Sequence, residues 1–438
     1  MIKDHEDVRE FLNRVCSEIR SREAHPQIRL ELMSHLESLA EEKEQAGESR
    51  EEALAWAVAQ MGDPRLIGKD LHRIHRPKLE WGLLTAILAF VALGLIAMYA
   101  YDASMLANSK QTVNSQFFIY KVAMAGIGLA VMGGLTFFSY HKFQALTWWL
   151  YGLLIIGLCL VALFGNQVNG SRQYLSFGPL YIQWASISPL LFVVVAAGCL
   201  PRWYAARSFF MARSFALFLP VGLLLSICSA MPALLLTMVG YLIIIGSVTK
   251  RWKTLLVLVS ASILAISSFL LWYAPSRLQA FLSPEKDPNG ASYVYMKIAE
   301  LQRTSGWFGQ GFGTALPSLP NMYSEFIFTF LIYCFGWLAG ILFALAALYL
   351  VSRFRHSFIQ VRDPFGRHLV LGLSSIIVFQ FAYNLLMSIG LLPYIGLSLP
   401  FVSYGLYPML YEMAAVGLIL SIYRRKDLMS SRSGPVTY

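Results

Sequence analysis

Charge is what most of this sequence lacks. Of its 438 residues, 14% are Asp, Glu, Lys or Arg, against 57% hydrophobic and 14% aromatic. Soluble chains carry nearer a quarter charged residues, so the composition excludes an ordinary soluble protein. Acids are scarcer still beyond residue 80: the first 80 residues hold 17 of the 25 Asp and Glu, and the remaining 358 hold 8 against 22 Lys and Arg. The five cysteines (Cys16, Cys159, Cys199, Cys228, Cys334) form no C-x-x-C pair, which excludes a disulfide framework and a zinc site. No cleavable signal peptide is visible, and none is expected from an N-terminus that is charged and amphipathic. The first apolar span is therefore expected to act as its own insertion signal. No internal repeat is visible, which weighs against a transporter built from inverted halves.

Long apolar runs are abundant. They fall at 81–100, 117–139, 146–165, 185–201, 214–229, 231–248, 254–273, 326–351, 368–391 and 405–423. Most approach or exceed the roughly 20 residues that span a bilayer as a helix. The fifth and sixth are separated only by a kink at "SAMP" and read as two spans or as one broken, re-entrant pair. With the N-terminus inside, the inner loops and tail carry 15 Lys and Arg, whereas the short outer loops carry only Lys110 and Arg172. That asymmetry predicts cytoplasmic termini. One outer loop, 274–325, is long, polar and rich in Gly and Pro, and its aromatics argue for order rather than disorder. The expected fold is all-α: a helical cytosolic domain over 1–78, a ten-helix membrane domain over 79–425 and a cytosolic tail over 426–438.

The N-terminal domain is legible as amphipathic helices. Val8, Phe11, Leu12, Val15 and Ile19 share one face, Ile28, Leu32, Leu36 and Leu39 another, and Ser49 with Glu52 has the spacing of a capping box. The pattern resembles prefix domains found ahead of membrane proteins in Gram-positive bacteria. His25, His35, His72 and His75 lack ligand spacing and read as solvated helix-face residues. Docking, regulation and a simple folding cap all fit this domain.

Ionisable side chains in hydrocarbon are costly and mark candidate functional sites. Lys121, Glu325 and Glu412 qualify, and Arg172 faces the same outer side as the first two. A carboxylate with cations at one membrane surface suits a substrate with an anionic head and a lipid tail: cations for phosphates, a carboxylate as general base. The alternative is that these residues snorkel or pair with one another. "GWFGQGFG", 306–313, lacks the Lys of a phosphate loop and reads as a tight glycine-rich turn. "LLPYIGLSLPFVSYG", 391–405, carries no charge and reads as a rigid buried turn.

Three of these stretches together resemble the SEDS family of cell-shape, division and sporulation proteins, that of FtsW and RodA, over roughly residues 80–425. "NLLMSIGLLPYIGLSLPFVSYG", 384–405, is similar to the family's asparagine followed by G-hydrophobic-hydrophobic-P-x-T-G-x-x-L-P-F-hydrophobic-S-Y-G-G, and contributes Asn384, Pro393, Gly396, Pro400, Ser403, Tyr404 and Gly405. "SGWFGQGFG" and "LPNMYSEFIF" match a glycine-rich motif and L-P-x-x-x-T-D-F-I-F, with Gly309, Gly311, Gly313, Pro320, Ser324 and Glu325. "VNGSRQYLSFGPLYIQ", 168–183, supplies Asn169, Gly170, Arg172 and Gln183.

The resemblance implies glycosyl transfer at the outer face of the plasma membrane: polymerisation of lipid II, an undecaprenyl-diphosphate-linked precursor, into peptidoglycan. It implies Glu325 as catalytic base and Lys121, Arg172, Gln183, Ser324 and Ser403 as substrate-binding residues. Membrane lipids and a class B penicillin-binding protein are the implied partners; no nucleic acid, no protein-bound metal and no cofactor are expected, although a divalent cation would suit a diphosphate. The departures are chemical. Glu325 stands where the family has Asp, Gln173 where it has Arg, Trp184, Ser186 and Pro189 where it has Pro, Glu and Lys, and Leu406, Tyr407 and Pro408 where it has Gly-Ser-Ser. A non-catalytic scaffold that binds lipid II, or a transporter of the lipid-linked precursor, are the alternatives.

Overall fold

The computed structural model describes residues 5–20, 24–74, 76–108, 116–168, 171–178, 180–206, 209–251, 260, 275–287, 290, 292–313 and 318–426. The expected span at 254–273, apart from Ser260, lies outside the described residues, as do Lys110, Arg207, Lys253, Arg432 and His75. Two compact units emerge, residues 80–422 and residues 1–79 together with the segment from Tyr423.

The smaller unit contains α1 (Glu6–Ser17), α2 (His25–Gln45), α3 (Arg50–Met61) and α4 (Pro64–Ile74). The apolar faces meet: Val8, Phe11, Leu12, Val15, Ile28, Leu32, Leu36, Leu54 and Ala57 form one buried core. The capping box is present, with the Ser49 hydroxyl on the Glu52 N–H and the Glu52 carboxylate on the Ser49 N–H. That pairing holds the Glu52 carboxyl below its ordinary range.

The larger unit is built from α5 (Trp81–Asn108), α6 (Phe117–Phe137), α7 (His141–Ala145), α8 (Thr147–Phe164), α9 (Trp184–Ala205), α10 (Phe210–Ile227), α11 (Met231–Thr249), α12 (Pro275–Leu282), α13 (Tyr293–Ser305), α14 (Ile327–Gln360), α15 (Pro364–Ser388) and α16 (Leu406–Arg424). Among the described residues, nine of these are long and apolar enough to cross a bilayer. The "SAMP" segment is a turn between two full-length helices, with Ser229 at φ 53° breaking the chain direction. The long loop is ordered where described, with α12, a 3₁₀ turn at Pro284–Lys286 and α13.

The structure departs from a purely helical expectation at two places. Between α8 and α9 the chain forms an antiparallel ribbon of β1 (Asn166–Val168), β2 (Ser171–Phe177) and β3 (Leu180–Ile182). The β2–β3 hairpin aligns Leu175 with Ile182 and Phe177 with Leu180. The Arg172 N–H donates to the Cys228 carbonyl at 2.8 Å, which ties the ribbon to the α10–α11 turn.

The second departure is a break inside α14, where Gly336 adopts φ 81°, ψ 175°. A broken helix at membrane depth leaves N–H and C=O groups without partners, a cost of several kcal/mol each in hydrocarbon. The "GWFGQGFG" loop supplies them. Its Gly306 and Trp307 carbonyls accept from the N–H groups of Trp337 (3.1 Å) and Leu338 (3.2 Å), and its Gln310 and Gly311 N–H groups donate to Tyr333 and Cys334 (2.9 Å each). The approach requires glycine on both sides. A Cβ on Gly309 would stand 2.3 Å from the Cys334 oxygen, and one on Gly336 would stand 2.2 Å from the Trp307 oxygen.

Candidate active site

The turn that precedes α14 carries Glu325. Pro320 opens it, and Asn321 takes φ 54°, a left-handed conformation that Asn tolerates better than most residues. The Asn321 carbonyl then accepts the Glu325 N–H at 3.0 Å, closing one turn just ahead of the helix. This presents the Glu325 side chain, half-buried, toward the 389–405 loop. Its Oε2 accepts a hydrogen bond from the Tyr394 hydroxyl and one from the Asn321 amide at 3.2 Å. Oε1 faces Gly396, close enough that a Cβ there would lie 3.2 Å away. Burial raises the Glu325 carboxyl above the ordinary carboxylate range, and the donors Tyr394 and then Asn321 pull it back. The carboxylate also acts on β2: burial first, then the Glu325 charge, raise the Tyr174 phenol.

The 389–405 loop is clamped to this turn by residues from three directions. Asn384, fully buried in α15, donates to the Glu325 carbonyl (2.9 Å) and the Leu397 carbonyl (2.7 Å). The Ser403 hydroxyl donates to the Ser324 carbonyl at 2.5 Å and accepts from the Leu399 N–H at 2.7 Å. The Tyr404 N–H donates to the Tyr323 carbonyl at 3.1 Å. The rings of Tyr323 and Tyr404 pack with Phe117, which also meets Tyr101.

Lys121 and Glu412 are buried, and both act on Phe401. The Lys121 ammonium donates to the carbonyls of Phe401 (2.8 Å) and Ser403 (2.7 Å). The Glu412 carboxylate accepts the Phe401 N–H at 2.8 Å and the Gln380 amide at 3.0 Å. Phe401 needs this support, since its φ of 65° is strained for a side-chain-bearing residue. The strain costs about 1–3 kcal/mol. Hydrogen bonds to charged groups contribute about 1.5–3 kcal/mol each, so two of them offset it.

Arg172 is exposed on β2, with Nη1 on the Ala162 carbonyl at 2.9 Å. The Gln183 amide donates to Gln173 at 2.8 Å, and Gln173 to the Ser171 hydroxyl. Gly309, Gly311 and Gly313 all take left-handed φ between 77° and 83°. The Pro393 carbonyl accepts from the Tyr383 hydroxyl at 2.9 Å. Asn169 and Gly170 lie outside the described residues. Thus Glu325, Ser324, Ser403, Asn384, Gly396 and Tyr404 meet at one end of the unit, whereas Lys121 faces backbone carbonyls beneath the loop.

Sequence reasoning missed Tyr394 and Asn321, the two donors to Glu325; both stand at variable positions of their motifs, so no pattern singled them out. It also missed Asp102. The α5 helix runs past the apolar stretch to Asn108, and the Asp102 carboxylate accepts the Phe118 N–H at 2.8 Å. It caps α6, whose N-cap residue Gln116 makes no side-chain cap of its own. Among the described residues, no group of three or more His, Cys, Asp or Glu is placed to hold a metal ion.

The family model for FtsW/RodA/SpoVE cell cycle proteins matches residues 81–428. The chain belongs to the FtsW/RodA/SpoVE family. Among curated relatives, the "Probable peptidoglycan glycosyltransferase FtsW" of Thioalkalivibrio sulfidiphilus is 31% identical over 398 residues, covering 84% of this chain and 94% of the relative. The protein of the same name from Shewanella sediminis is 28% identical over 367 residues, covering 80% and 87%. Among solved structures, a chain of a peptidoglycan synthase complex aligns with a TM-score of 0.67 at 24% identity, over 80% of this chain and 98% of that one. The rod shape determining protein RodA of Thermus thermophilus aligns at 0.59 and 23% identity, over 80% and 97%. The larger unit therefore has the fold of this family, and the chain is a multi-pass membrane protein.

Proposed function

We propose that this chain is a peptidoglycan glycosyltransferase that polymerises lipid II at the outer face of the plasma membrane, with both termini in the cytoplasm. The observation that carries the reading is the Glu325 carboxylate. It sits at the family's acid position, half-buried, with Oε2 held by two donors and Oε1 beside a glycine. In the reaction, Oε1 takes the proton of the acceptor sugar hydroxyl. The freed oxygen pair forms a bond to the anomeric carbon of the donor. The bond from that carbon to the lipid diphosphate breaks, and the diphosphate leaves with its electrons. Arg172, exposed on the ribbon, is the cation offered to the diphosphate, and Gln183 and Ser324 are the polar side chains proposed to contact the substrate. Lys121 and Ser403 serve the site by fixing the loop. A class B penicillin-binding protein is the proposed partner that cross-links the strands.

The experiment is polymerisation of lipid II by the purified protein, read as glycan strands on a gel. A general base contributes about 100- to 10,000-fold, so Glu325→Gln is expected to lose at least about 100-fold in rate with unchanged thermal stability. Undiminished polymerisation by that variant would remove Glu325 from the role. The second reading, a non-catalytic scaffold that binds lipid II, draws on the engagement of Lys121 with carbonyls. It predicts lipid II binding without strands from the unaltered protein.

A further inference from the structure

Glu325 is one methylene longer than the aspartate of the family motif, which moves the carboxylate by roughly 1.5 Å. A side chain with an extra rotatable bond must be held if it is to act as a base, because misplacement by about 1 Å costs around 100-fold. The structure contains a holder at positions that the family motif leaves open. From the 389–405 loop, the Tyr394 hydroxyl reaches Oε2 of Glu325, and the Asn321 amide lies 3.2 Å from the same oxygen and 3.4 Å from the Tyr394 hydroxyl.

Tyr394 is itself fixed on several sides. Its N–H donates to the Tyr295 hydroxyl of α13 at 3.0 Å. Its ring packs on Phe326, with centroids 5.1 Å apart. The carbonyl of the preceding Pro393 is tied to Tyr383 in α15. The phenol therefore has little freedom to follow a wandering carboxylate.

We propose that Tyr394 is the positioning residue for Glu325: its hydroxyl, with the Asn321 amide, fixes the longer carboxylate by Oε2 and leaves Oε1, beside Gly396, as the oxygen that takes the proton. The proposal rests on the reading of Glu325 as the base. It predicts that an aspartate at 325, one bond shorter, holds the phenol less well than the glutamate does. Among the described residues, the polar groups acting on this carboxylate are Tyr394 from the loop, Asn321 from its own turn and Tyr174 from β2, and none is a cation.

The test is Tyr394→Phe, which keeps the ring on Phe326 and removes the hydroxyl. Polymerisation is measured against pH for the unaltered protein and for Tyr394→Phe, each in a Glu325 and a Glu325→Asp background. With Glu325, Tyr394→Phe is expected to move the acid limb of kcat/KM upward by at least about half a pH unit, roughly threefold in rate at a fixed pH on that limb. With Glu325→Asp it is expected to have no further effect, since the bond is already gone. A second readout needs no activity. The infrared carboxyl band that disappears in Glu325→Gln is titrated, and its midpoint is expected to rise in Tyr394→Phe. An unmoved midpoint, or an equal effect of Tyr394→Phe in both backgrounds, would overturn the proposal. If Glu325→Gln stays active while the infrared midpoint shifts, the base reading fails and the phenol–carboxylate link stands. If Glu325→Gln is dead and the midpoint does not shift, the link alone fails. Should Tyr394→Phe unfold, Asn321→Ala is titrated in the same way, with a smaller rise expected and none contradicting.

Discussion

At the scale of single residues, the chemistry turns on one carboxylate and the atoms around it. Glu325 must be ionised to accept a proton, and burial raises it while Tyr394 and Asn321 lower it. Polymerisation is therefore expected to rise with pH through a limb above the ordinary glutamate value of about 4.3. Gly396 is the second residue-level determinant. Its φ of 77° belongs to the left-handed region, and a Cβ there would crowd Oε1 at 3.2 Å. Gly396→Ala should cost about 1–3 kcal/mol in backbone strain and reduce polymerisation at least as strongly as it reduces stability. A thermal shift paired with a rate measurement checks this; full activity in that variant would show that Oε1 does not face the acceptor.

At the scale of elements, two irregular segments position the site, and each is held by an identifiable pairing. The 389–405 loop depends on Lys121 from α6 and Glu412 from α16, which grip the carbonyl and the N–H of the same strained residue, Phe401. Removing one of these buried groups leaves carbonyls or an N–H of the loop without a partner, at about 1–3 kcal/mol for each group left unpaired. Lys121→Met is expected to lower thermal stability by that order, and Lys121→Met with Glu412→Leu by less than the sum of the two single losses. Additive losses would mean that the two charges do not act through the same loop. The break in α14 depends on the glycine-rich loop. Gly336→Ala forces a Cβ against the Trp307 carbonyl, and unfolding in detergent should show a loss of about 2 kcal/mol or more. An unchanged transition would contradict the close approach.

At the scale of the whole molecule, hydropathy made the spans legible, because a bilayer demands long apolar helices and little else has that pattern. The sidedness of the loops is a separate expectation, resting on the excess of Lys and Arg in one set of loops. The loop structures were not legible. The β1–β3 ribbon lies in a segment whose strands are three to seven residues long, and the break at Gly336 depends on partners in the separate glycine-rich loop, Gly306 to Gly311. Lys121 and Glu412 stood out as costly charges, but only the fold shows that both meet Phe401 rather than solvent. Asp102 escaped notice because the helix outlasts its apolar stretch. Glu325 was visible from its motif, while its holder Tyr394 was not, since the two are 69 residues apart in the chain.

Polymerisation of lipid II by the purified full chain, measured side by side with Glu325→Gln, tests the central claim most directly. Glycan strands from the unaltered protein, and a loss of at least about 100-fold in the variant, are the predicted result. Equal strand synthesis by both proteins would contradict the role of Glu325, and binding of lipid II without strands from either would contradict polymerisation itself.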